Sequence, residues 1–80
     1  MSELEWNGMK LRVCQQIGWH GGRLKVMDVY DDEKYGKVLD GYWNHEKVYI
    51  IGDEVVTDQA IICYLDNRYG RPVKDRYILH

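Results

Sequence analysis

Eighty residues with thirteen Asp and Glu against eleven Lys and Arg give a formal net charge of −2, and a chain this short hides only about 60 to 65% of its unfolded surface, enough for one core over residues 1–80 and none for a second. The interleaved charges argue against both the basic stripe of a nucleic-acid binder and the dense acidic surface of a nucleic-acid mimic, and 45% apolar with 30% charged residues excludes a largely disordered chain. The longest apolar run, residues 60–65, spans six positions, far below the about 20 that a membrane-crossing helix needs.

In chain order, "MSELEWNGMK" has neither a basic lead nor an apolar segment, so no secretory signal is expected and the expected location is cytoplasmic. Residues 9–17 alternate, with Met9, Leu11, Val13 and Ile17 on one side and Lys10, Arg12 and Gln16 on the other, which predicts a half-buried strand. After "GWHGG" a second strand is expected over 23–30, where the switch of apolar face between Leu24/Val26 and Met27/Val29 suggests a bulge or a strand covered on both sides. Residues 31–43 fit either a short helix or a polar turn followed by a strand over 37–43; Gly36 favours the turn and strand. "KVYIIG" predicts a strand over 47–52.

From Thr57 the period changes. Ile61, Ile62, Leu65 and Tyr69 share one arc of an amphipathic helix over 57–69, with Thr57 as the expected N-cap and Gly70 in a left-handed position past its end. After Pro72, alternation predicts a C-terminal strand over 73–79. The expected fold is α+β: an antiparallel meander of about four strands, open or partly rolled into a barrel, with the helix packed on it and the last strand at an edge or beside the first.

If the meander is right, the first and third turns emerge from the same end of the sheet, about 10 Å apart, two strand spacings. Trp19 and His20 would then neighbour Trp43 and His45 as an aromatic and imidazole rim. That rim is a candidate partner-binding site, joined by Tyr64 on the flank of the helix beside Arg68. The alternative is that each Trp folds back as a lid on the core, each His is an ordinary turn residue, and Tyr64 makes a surface stacking contact. Arg68, Arg71, Lys74 and Arg76 form the one basic cluster, a candidate phosphate-binding face or a solvated strand and helix end.

Chemistry-bearing patterns are sparse. His20, His45 and His80 show no HxH, HxxxH or HExxH spacing, so no metal is expected, and no motif implies a cofactor. Cys14 and Cys63 lack a CxxC pair and are expected as buried thiols, with a single disulfide as the alternative in an exported chain. Asp31-Asp32-Glu33 and Asp53-Glu54 lie in polar turns, where solvation and ordinary pKa values are expected. Catalysis is therefore not expected. Seven Tyr and three Trp with no Phe suggest a non-catalytic module that binds, and inhibits, a larger protein partner, of the kind found among accessory proteins of phages and mobile elements. The alternatives are a nucleic-acid-binding β-rich domain and an oligomeric sponge for a small ligand such as a nucleotide.

Overall fold

The computed structural model describes residues 3–70. Strands β1 (Glu3–Trp6) and β2 (Met9–Arg12) form a two-stranded hairpin. Strands β3 (Gln15–Trp19), β4 (Gly22–Asp32), β5 (Gly36–Trp43), β6 (Glu46–Ile51) and β7 (Glu54–Val55) form a five-stranded antiparallel meander in chain order, and α1 (Gln59–Tyr69) follows. The fold is α+β, with a helix packed on an antiparallel sheet. The predicted strand over 73–79 lies outside the described residues.

Turn chemistry explains the pairing. Asn7-Gly8, His20-Gly21 and Asn44-His45 are two-residue connections with positive φ at both positions, the twist-matched geometry that joins adjacent antiparallel strands. The Glu33–Tyr35 loop closes on Gly36 at φ 78, confirming turn and strand over 31–43. The expectation of one strand over 9–17 is corrected: the chain turns at Val13-Cys14, with Cys14 at φ 70. Arg12 N–H donates to Gln15 Oε1 (2.9 Å) and Cys14 N–H to the Val26 carbonyl (2.6 Å), which stabilises the corner. The apparent alternation thus spans two sheets, and of its members Leu11 is buried whereas Met9 and Val13 are exposed.

The meander has two covered faces. On one, Leu24, Val26, Leu39, Val48 and Ile50 pack against Trp6 and Leu11 of the β1–β2 hairpin. On the other, Val38 and Tyr49 pack against Leu65, with Ile51, Ile61, Ile62, Tyr64 and Tyr69 around them. The expected change of face in β4 is a bulge: the register shifts between Val26 and Asp28, leaving Met27 as the extra residue. Although β3 and β7 are not hydrogen-bonded to each other, the sheet curls round the hairpin. His20 Nε2 lies 3.4 Å from Asp53 Oδ1 in the β6–β7 turn, and Asn7 Nδ2 donates to the Gly52 carbonyl (3.3 Å).

Two details of the helix differ from expectation. Asp58, not Thr57, is the N-cap, its Oδ1 accepting from Ala60 N–H (2.8 Å), because a carboxylate is the stronger acceptor for an orphan amide. Gly70 donates its N–H to the Asp66 carbonyl but at φ −59 and ψ 137, so the chain leaves in an extended rather than left-handed conformation.

Candidate functional site

The two turns expected to be neighbours are side by side. Asn44 N–H donates to the Arg23 carbonyl (2.9 Å) and Asn44 Oδ1 accepts from Arg23 N–H (3.0 Å). Gly22 makes the approach possible, since a Cβ there would lie 2.6 Å from Asn44 Oδ1 and 2.9 Å from Trp43 Nε1. Trp19 and Trp43 meet edge to face with centroids 5.6 Å apart, and Trp43 Nε1 donates to the Trp19 carbonyl (3.1 Å). Both indoles are half-buried against the hairpin-side core, with Trp6 6.4 Å beyond Trp19. The outward groups of this rim are imidazoles: His20 stands edge-on to Trp19 and reaches Asp53, and His45 is exposed at φ 73.

On the helix-covered face the sequence reading of the acidic turn needs correction. Asp31 is solvated and pairs with Lys37 (3.0 Å), but Asp32 is buried at 4% exposure. Its Oδ2 accepts from the backbone N–H of Lys34 (2.9 Å) and Tyr35 (3.0 Å), and its carboxylate also accepts from the hydroxyls of Tyr69 (2.6 Å) and Tyr64 (3.1 and 3.2 Å), with Arg68 Nε at 3.3 Å. Burial alone pushes this carboxyl upward, yet the hydrogen bonds from Tyr69, Tyr35, Lys34 and Tyr64 favour the anion and bring it to about 2. The same contacts raise both tyrosines, Tyr64 chiefly through burial and Tyr69 chiefly through its bond to Asp32. Tyr49 is raised by burial and by its hydrogen bond to Asp66. Tyr30 stacks on Tyr69 (4.1 Å, 10°). These tyrosines hold α1 on the sheet.

Beyond α1 the same face is open. Strand parity puts Gln16, Lys25, Tyr42 and Lys47 in one row across β3 to β6, paired in register at each step. A depression of about 910 Å³ lies over this half, lined by Gln16, Arg23, Lys25, Tyr42, Asn44 and His45, with Met27 and the glycines of the first turn at its border. Tyr42 is 40% exposed. Among the described residues no carboxylate lines the depression, and neither Arg23 nor Lys25 has a carboxylate within ion-pair distance, whereas Lys47 at the end of the row is paired with buried Asp40 (2.7 Å). Arg23 Nη1 donates to Gln16 Oε1 (3.2 Å), which orients the guanidinium over the strand. An exposed phenol between cations, with amide and imidazole groups at one end, can stack a planar group and neutralise an anion.

Of the residues singled out in sequence, Trp19, His20, Trp43 and His45 come together at the rim, and His45 also lines the depression. Tyr64 sits away from them, half-buried, its hydroxyl on Asp32 and its ring 5.6 Å from the Arg68 guanidinium. Arg68 faces Asp32, and Arg71, Lys74 and Arg76 lie outside the described residues. Cys14 and Cys63, expected to be buried, are free and exposed: Cys14 occupies an unforeseen corner, and Cys63 sits on the solvent side of α1. Among the described residues no three His, Cys, Asp or Glu side chains converge as a metal site would need, and no helix is long and apolar enough to cross a membrane. Comparison with protein-family models, with curated proteins and with solved structures gives no match.

Proposed function

We propose that the protein is a non-catalytic binding module that engages a larger macromolecule through the helix-free half of its sheet and the adjoining rim. The observation that supports this best is the depression over Arg23, Lys25 and Tyr42, where two cations that pair with no carboxylate among the described residues accompany an exposed aromatic ring. In a chain with so few residues to cover, a broad shallow surface suits a macromolecule better than a deep reaction pocket does. The half-buried Trp19–Trp43 pair supports the rim from below and leaves His20 and His45 as its outward groups.

A photo-crosslinking residue at position 42 tests this in the native host, with the same group at Glu54, exposed on the β7 edge, as the control. Macromolecular adducts from position 42 and not from position 54 are expected. Absence of adducts, or equal yield from both positions, overturns the reading.

A further inference from the structure

We propose that the open half of the sheet is a platform for single-stranded nucleic acid, with a base stacked on Tyr42 and the backbone phosphates held by Arg23 and Lys25. The inference rests on the binding-module reading and names the partner class for that surface. Three features carry it together. The first is the row Lys25–Tyr42–Lys47, in which an exposed ring is flanked on both neighbouring strands by a cation. Strands stand about 4.8 Å apart, so Lys25 on the neighbouring strand is within reach of an anion beside the ring, while Lys47 on the other side is held by Asp40 and closes the row. The second is charge: the chain is net negative, yet among the described residues the lining of this depression contains Arg23 and Lys25 and no carboxylate. A polyanion meets cations and no carboxylate in this lining, which favours its binding there.

The third feature is the polar set at the rim. Asn44 and His45, in the turn that follows Tyr42 on its own strand, and Gln16, across Lys25 from it, supply amide and imidazole donors and acceptors in the lining of the depression, where the edge of an unpaired base would lie once its face covers Tyr42. Single strands bind in this way on sheets, with aromatic side chains for the bases and a basic track for the backbone. A duplex keeps its bases inside the stack and has nothing to place on Tyr42. An acidic protein segment would satisfy the cations but would leave the aromatic ring and its amide border without a planar counterpart. Arg68 takes no part, because it is turned toward Asp32 under the helix.

Fluorescence anisotropy with the full chain and labelled DNA and RNA single strands of about 12 nucleotides tests the proposal. A duplex of equal length, a free mononucleotide and a polyglutamate peptide serve as competitors. Binding of the single strands is expected, with Tyr42→Ala weakening it at least about ten-fold through loss of stacking. Lys25→Gln is expected to lower the slope of log affinity against log salt by about 0.7, the share of one phosphate on a single strand. Lys37→Gln, on the exposed pair with Asp31, is the control and should change neither readout.

The proposal is overturned by absence of binding at low salt, by an unchanged affinity of folded Tyr42→Ala, or by equal or better competition from duplex, mononucleotide or polyglutamate. The crosslinked adducts separate this failure from that of the general reading. Adducts at position 42 that protease removes and nuclease does not would end the nucleic-acid assignment while keeping a binding module, and no adducts at all would end both.

Discussion

On the helix-covered half of the sheet face, Tyr49, Tyr64 and Tyr69 turn their hydroxyls onto Asp66 and Asp32, while on the open half Tyr42 lies between Lys25 and Lys47 with its ring in solvent. The same residue type, on one face of one sheet, serves attachment in the first place and is available for contact in the second. What separates them is the carboxylate. Each helix-side tyrosine meets an acid that accepts its proton donor, and Tyr42 is surrounded by donors. Lys47 marks the border, since its ammonium pairs with Asp40 on one side and lies 3.7 Å over the Tyr49 ring.

The comparison is broken most severely by removing the helix's apolar anchor. Leu65 has no exposed surface, and Leu65→Ala should cost about 2 to 5 kcal/mol in chemical denaturation, with the largest loss of amide-exchange protection in α1. Next comes the carboxylate. Because Asp32 is held at about 2 in the folded chain and titrates near 3.9 when unfolded, its contribution is complete above about pH 4 and is lost as pH falls toward 2. Asp32→Asn should remove that segment of the stability profile and lower stability at neutral pH; a variant whose thermal midpoint matches wild type at pH 7 and tracks it down to pH 2 would show that the clamp contributes nothing. The smallest effect belongs to the open half, where Tyr42→Ala should change stability by no more than about 0.5 kcal/mol, as for an exposed side chain without a packing role. Unfolding of that variant at markedly lower denaturant would place Tyr42 among the structural tyrosines and erase the distinction.

Much of this fold is written in local chemistry. Strand periodicity, the apolar arc of α1 and the turn residues identified three of the five meander strands, β4 to β6, and the helix, and the adjacency of the Trp19 and Trp43 turns followed from meander connectivity alone. The β1–β2 hairpin also had its signal, Asn7-Gly8 between apolar residues, a strong mark of a two-residue turn; the run of alternation from Met9 to Ile17 obscured it, since the break at Cys14 carries no glycine. The role of Asp32 was not legible, because its burial depends on α1 arriving over a polar turn about thirty residues earlier in the chain. A pair of tyrosines five positions apart near the end of an amphipathic helix was the available hint. The open face required register as well as periodicity: only the pairing of Lys25 with Tyr42 and of Tyr42 with Lys47 assembles the row.

Met27 occupies the place where β4 holds one residue more than β5 opposite it. Strict alternation would put Tyr30 and Asp32 on the side of Leu24 and Val26; the added position brings them to the side that α1 covers. Deleting Met27 would leave an unbroken ladder with Tyr30 and Asp32 still beneath α1, whereas drawing Met27 into regular pairing would turn that carboxylate toward the indole of Trp6 and take the helix's anchor away.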